Sequence, residues 1–146
     1  MSERTGPLSD LRVIELGQLV AGPFCGQMLA DFGADVIKVE PPGRGDPLRE
    51  WGRDGFPLWW SVTARGKRTI TANLREPEGQ GIVRRLAANA DILIENFRPG
   101  TLERWGLGFD ALAAVPATRF PGGPALRSPL LVLAMTWYAL RDRVGM

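Results

Sequence analysis

The residues best suited to chemistry stand at the ends of short apolar runs. Asn96, Phe97 and Arg98 follow the run DILIE. They combine an amide that can pair with a polar edge, a ring that can stack, and a guanidinium that can take a phosphate. A plain turn would use the same three positions. Lys67, Arg68 and Arg75 flank a second run, TITANL, and fit either phosphate contact or a solvated strand end. Residues Gly17–Pro23 follow the run RVIEL, where an open α/β sheet places ligands. Their glycines lack the G-x-G-x-x-G spacing of a dinucleotide fingerprint, and an ordinary tight connection has the same composition. Glu15, Glu40 and Glu95 lie on or at the end of runs and read as hydrogen-bonded ends. A nucleophilic carboxylate would have to stand exposed in a cleft, and spacing selects none of the three. Cys25 falls in the first turns of a helix, where a thiolate is stabilised. It lies between Phe24 and Gly26 in a sequence without histidine to activate it, so it reads as a small buried residue. The absence of histidine also excludes a histidine general base and histidine-based zinc or haem sites, and a single cysteine excludes an internal disulfide framework.

The elements that must position these residues follow from periodicity. RVIEL, residues 12–16, reads as a short buried strand ending at Gly17. Gly22 and Pro23 signal a helix start, Phe24, Met28, Leu29 and Phe32 have helical spacing, and Gly33 fits a C-cap. DVIKVE follows as a strand and stops at Pro41 and Pro42, so the first 40 residues make one β-α-β unit. Residues 41–66 are rich in Pro, Gly and charge and read as a long loop. Trp51, Trp59 and Trp60 fall in it and are expected to pin it to the core or to meet a partner. KRTITANL alternates as a strand, and Pro77 starts a helix with Ile82, Val83, Leu86 and Ala87 on one face. DILIENF is a strand, Arg98 to Gly100 a turn, Thr101 caps a short helix, and Phe109 to Val115 suggest another. The whole is an α/β arrangement over an open, mostly parallel sheet.

The chain has 146 residues, 45% hydrophobic and 23% charged, which is one globular domain's worth and excludes general disorder, collagen and coiled coil. Its formal charge of +2 is unevenly placed: residues 1–116 carry −1 and residues 117–146 carry +3. No basic stripe runs through the body, so nucleic acid is not an expected partner. The longest uncharged apolar stretch, Leu130 to Leu140, falls short of the ~20 residues of a membrane span, so no membrane is expected either. The polar start MSERTGPLSD has no apolar leader, which points to the cytoplasm.

Four segments together resemble the N-terminal part of the class III CoA-transferases, a family that includes formyl-CoA and carnitine CoA-transferases and the related alpha-methylacyl-CoA racemases. They are LRVIELGQLVAGPFCGQMLADFGADVIKVEPPGRGD, REWG, GKRTITANLREPEG and ADILIENFRPGTLERWGLGFDAL, in family order over residues 7–115. The resemblance implies part of an open, Rossmann-like sheet with flanking helices, coenzyme A or acyl-CoA as substrate rather than a tightly held cofactor, and a homodimer in intact relatives. It also implies CoA contacts from Val20, Ala21, Ala72, Asn73, Leu74, Arg75, Asn96, Phe97, Arg98 and Arg104, and from the residue after Glu40. Some members have Gln where Val20 stands and Arg where Pro41 stands. In intact relatives an Asp carboxylate attacks the thioester, giving a mixed anhydride and then an aspartyl-CoA thioester.

From Pro116 the family pattern is lost. VPATRFPGGPALRSP replaces an NPR-type continuation, and LLVLAMTWYALRDRVGM shows neither helical nor alternating periodicity. The catalytic Asp is missing, Asp142 in RDRV matches no family motif, and the racemase acid–base pair is missing too. The expectation is therefore a family region over 1–115 and an atypical, frameshifted or irregular tail over 116–146. That chain would carry no catalytic residue of its own and be inactive alone, a truncated transferase, with an alpha-methylacyl-CoA racemase-type relative or a non-catalytic CoA-binding fragment as the alternatives.

Overall fold

The computed structural model describes residues 5–115 and 131–134. Five parallel strands form one sheet in the order β3-β2-β1-β4-β5: β1 is Arg12–Glu15, β2 Asp35–Glu40, β3 Arg68–Thr71, β4 Ile92–Glu95 and β5 Leu131–Ala134. Val13 lies opposite both Val36 and Ile92, so β2 and β4 flank β1 directly. The chain steps from β1 through helix α1 (Ala21–Asp31) to β2 and β3 on one side. It then crosses back through α3 (Pro77–Ala87) to β4 on the other side of β1. The strand order thus reverses between β1 and β4, the place where open parallel sheets leave a crevice at their carboxyl ends.

Alternation along β1 divides the core. Val13 joins Ala34, Val36 and Ile94 on the α1 face, with Leu29 and Ala30 packed against them. Ile14 and Leu16 join Ile37, Val39, Leu93, Val83 and Ala87 on the other face, which is closed by Leu102 and Leu112 of α4 (Thr101–Arg104) and α5 (Phe109–Ala113). Helices on both faces of a parallel sheet explain why β1 and β2 are buried on both sides, charged Glu15 and Lys38 included.

Three features depart from the sequence reading. The long loop holds regular structure: a 3-10 turn at Pro47–Glu50, anchored by the fully buried Leu48, and helix α2 at Leu58–Thr63. Trp60 is half-buried with the Arg49 guanidinium 3.8 Å over its ring, while Trp51 and Trp59 are exposed. Second, α1 turns its small residues inward. Gly22, Pro23, Gly26 and Gln27 are buried, whereas Phe24 and Phe32 remain 52% and 54% exposed and Met28 is exposed too. The cause is close approach, because a Cβ at Gly26 would overlap the Glu15 carboxylate beneath it. Third, Leu131–Ala134 pairs in parallel with β4, inside the segment read as irregular. A parallel strand need not alternate, so its sequence gave no period-2 signal. The expectations placed on residues 116–130 and 135–146, including Asp142, lie outside the described residues.

Candidate functional site

All four strands β1 to β4 deliver their following residues into one cleft of about 710 Å³ at the carboxyl edge of the sheet. Leu16 and Gln18 come from β1, Glu40, Pro41 and Pro42 from β2, residues 72–75 from β3, and Phe97 and Arg98 from β4. Thr101, Arg104 and Trp105 close the far wall. The Phe97 and Trp105 rings meet edge to face at 5.4 Å and 76°, an apolar wall of fixed shape. A second hollow of about 380 Å³, shared at Gln18, Pro41 and Pro42, continues past Arg44 to Pro47.

Ala72, Asn73, Leu74, Arg75, Phe97, Arg98 and Arg104, all expected from the sequence, line the main cleft, as does Pro41 after Glu40. Val20, Ala21 and Asn96 do not line it. Val20 is the N-cap residue of α1 and exposed, and Ala21 begins that helix. The Asn96 amide is consumed by the β1–α1 connection: Oδ1 accepts from the Gln18 N–H at 2.7 Å and Nδ2 donates to the Gln18 carbonyl at 2.8 Å. Trp105 was not singled out in the sequence, Gln18 entered only as part of the Gly17–Pro23 connection, and Thr101, expected to cap a helix, is instead the first residue of α4 after the N-cap Gly100. Trp105 is the C-cap residue of α4 and adjoins Arg104, and that aromatic–arginine pair was the signal available for it.

Arg75, Arg98 and Arg104 make no ion pair among the described residues. Arg104 donates to the Thr101 hydroxyl at 3.2 Å, and the Asn73 side chain holds the backbone N–H of Arg75 at 3.2 Å. Three exposed guanidinium groups around one concavity suit an anion of several negative charges, such as a polyphosphate.

The other basic candidates serve the fold. The Lys67 side chain is buried, 2.6 Å from Glu15 Oε2 and donating to the Pro23 carbonyl at 2.6 Å. Arg68 holds the Asp35 carboxylate through two bonds at 2.7 Å. Neither reaches the cleft, so the phosphate reading of this pair gives way to local charge compensation. Beside Lys67, the buried Lys38 lies 2.8 Å from Glu15 and 2.7 Å from Asp46 and donates to the Gly17 carbonyl at 2.8 Å. Burial pulls the Lys67 ammonium below the usual lysine range against the pull of Glu15.

The strand-end glutamates are hydrogen-bonded, as their positions suggested. Burial alone would raise Glu40, but a two-armed contact from Arg49, the Asp46 N–H and the charge of Lys38 hold it below the ordinary carboxylate range. Glu95 goes the other way. Burial outweighs the Phe97 N–H at 2.7 Å, and the charge of Glu103 adds to the rise. Glu95 and Glu103 line a separate, largely apolar hollow of about 260 Å³ beneath α4 and α5. Cys25 is partly buried, and burial followed by the charge of Glu15 pushes its thiol up, away from nucleophilic character. Among the described residues no group of three acidic, His or Cys side chains could hold a metal ion, and no helix is long and apolar enough to cross a membrane.

Residues 8–117 match the family model described as CoA-transferase family III. The chain is 64% identical over 112 residues to a succinyl-CoA–D-citramalate CoA-transferase from Chloroflexus aurantiacus, covering 75% of this chain and 28% of that protein. It is 49% identical to the beta subunit of a succinyl-CoA–L-malate CoA-transferase from the same organism, over 97% of this chain and 34% of the relative. A CAIB/BAIF family protein from Brucella suis superposes with a TM-score of 0.71 at 47% identity, covering 76% of this chain and 31% of that one. The chain thus spans about a third of the length of these relatives.

Proposed function

The chain belongs to CoA-transferase family III, and from that premise we propose that its carboxyl-edge cleft binds the coenzyme A part of an acyl-CoA for transfer of CoA between short dicarboxylic acids. The observation that carries the reading is the set of Arg75, Arg98 and Arg104, three guanidinium groups without a carboxylate partner among the described residues, around a cleft at the strand-order reversal. They are suited to the CoA phosphates, and the Phe97 and Trp105 wall offers the nucleotide an apolar surface. The acid class comes from the relatives, whose names specify succinyl-CoA with citramalate or malate.

The described residues contribute binding and positioning rather than a nucleophile. Glu40 lines the cleft but is tied to Arg49 by two bonds, and Glu95 opens on the other hollow. A carboxylate that attacks the thioester would therefore come from outside residues 5–115.

Calorimetric titration of the chain with CoA tests the reading. Binding in the millimolar to high-micromolar range is expected, about −4 to −6 kcal/mol. Arg75→Ala, Arg98→Ala and Arg104→Ala should each weaken it, and pantetheine, which lacks the nucleotide phosphates, should bind more weakly than CoA. No binding of CoA, or affinity unchanged in all three variants, would overturn the assignment.

A further inference from the structure

The connection between β1 and α1 is held in a conformation its own sequence does not favour. Leu19 has φ 62°, one of two non-glycine residues at positive φ among the described residues. A bulky L-residue in that region is strained and persists when its surroundings dictate it. Those surroundings are specific. The Gln18 N–H and carbonyl are both taken by the Asn96 amide, and the Leu19 N–H donates to Asp46 Oδ1 at 3.1 Å. Asp46 is fully buried and itself fixed: its N–H donates to Glu40, its Oδ1 also accepts from Leu48 N–H, and its Oδ2 meets Lys38 at 2.7 Å. Three consecutive backbone groups of the connection are thus gripped by two side chains, Asn96 from the end of β4 and Asp46 from the N-cap of the 3-10 turn. Gly17 and Gly22 leave the room this needs, since a Cβ at Gly17 would lie 2.8 Å from Asn96 Oδ1.

We propose that Asn96 and Asp46 are positioning residues that hold the strained Gln18–Leu19 turn in place as the shared wall between the two hollows of the cleft, so that ligand affinity depends on them although neither lines the cleft. Gln18 is the residue that gives the proposal its functional content, because it lines both the 710 Å³ and the 380 Å³ hollows. A turn already fixed in the bound shape spares the ligand the cost of ordering it. The proposal rests on the CoA reading for its affinity arm and on the hydrogen bonds alone for its second arm.

The test is a double-mutant cycle on the full chain, with CoA as the titrant and amide hydrogen exchange by NMR as a ligand-free readout. Asn96→Ala should weaken CoA binding by about tenfold, the equivalent of relaxing one strained residue. The same substitution in a Leu19→Gly background should cost only about two- to threefold, because glycine adopts the turn without strain. A merely structural Asn96 would give equal losses in both backgrounds, and that result overturns the proposal. In the ligand-free arm, Asn96→Ala should speed exchange at the Gln18 and Leu19 amides while leaving Val13 and Ile14 protected. Unchanged exchange at the two turn amides overturns it. Loss of protection at Val13 and Ile14 as well would mean a general unfolding and likewise count against a local clamp, with Asn96→Asp, which keeps the acceptor and loses the donor, read in the same way. If the wild type binds no CoA, the ligand reading falls and the exchange arm alone decides the clamp.

Discussion

The side chains of Lys38 and Lys67 lie buried near the β1–α1 connection, both in contact with Glu15, while Arg75, Arg98 and Arg104 line the neighbouring cleft and form no ion pair among the described residues. Both groups are basic, and both belong to one sheet and the segments that flank its strands. The first is neutralised from within, because a buried ammonium must be paired or lose its charge. The second is exposed and can wait for a ligand's charge. The difference separates cations that make the fold from cations available to a partner, and proximity in sequence does not reveal it: Lys67 and Arg75 bracket the same strand.

The comparison breaks first at Lys38. Replacing it with Met leaves Glu15 and Asp46 buried without their shared cation, so Lys38→Met should lower stability by about 3–5 kcal/mol, measured by denaturant unfolding. Lys38 is 1% exposed, so solvent cannot take over the lost contact. An unchanged midpoint would mean that the network is not a unit.

Much of this arrangement was legible in the sequence, and the misses share a cause. The strands of the inner sheet announced themselves as apolar runs, and seven of the ten expected cleft residues come together because strand ends of a parallel sheet share one edge. Asn96 was correctly placed at that edge, but its amide turns to the backbone of Gln18, a use that spacing cannot distinguish from ligand contact. The large apolar residues of α1 gave its helical spacing, but Gly26 occupies the inner face because a carboxylate lies against it. Hydrophobic periodicity assumes that helices approach a core through bulk. Here the helix approaches a buried ion pair through its absence.

That reading of α1 is sharpened by Gly26→Ala. The added methyl would displace the Glu15 carboxylate from Lys67 or push the helix from the sheet, an overpacking cost of about 1–3 kcal/mol, visible as a lower thermal midpoint. By contrast, Phe24→Ser removes an exposed ring and should leave the midpoint nearly unchanged. If the two variants reverse in rank, the assignment of inner and outer faces is wrong.

The cleft cations should behave in the opposite way to Lys38. Arg98→Ala and Arg104→Ala should barely move the unfolding midpoint, since exposed charges contribute ~0–1 kcal/mol. Their effect should fall on CoA affinity, and the wild type's affinity should itself drop as salt rises. Stability losses of several kcal/mol from either arginine would place it with the structural group.

The smallest expected effect concerns two glutamates at the ends of neighbouring parts of the sheet. Glu40, gripped by Arg49, sits below the ordinary carboxylate range, and Glu95, buried near Glu103, sits above it. The signs of their contributions to stability are therefore opposite. Glu40 stabilises the fold above its unfolded value, and that stabilisation is lost as pH falls through its lowered native value. For Glu95 the native state binds the proton more tightly than the unfolded state does. Its contribution is favourable at low pH and is lost as pH rises from the unfolded value, about 4.3, through the raised native one. Glu95→Gln keeps an acceptor for the Phe97 N–H and removes the titration. Denaturant midpoints of wild type and Glu95→Gln, measured from pH 4 to pH 8 at fixed salt, should diverge as pH rises, with the variant gaining on the wild type. Because Glu40 is shifted downward, Glu40→Gln should show the reverse sign at lower pH, its deficit against the wild type growing as pH rises from the lowered native value toward the unfolded one, about 4.3, and staying level above it. Parallel curves for Glu95→Gln and wild type would mean that the hollow beneath α4 and α5 admits enough water to solvate the carboxylate, and that the two strand ends are electrostatically alike.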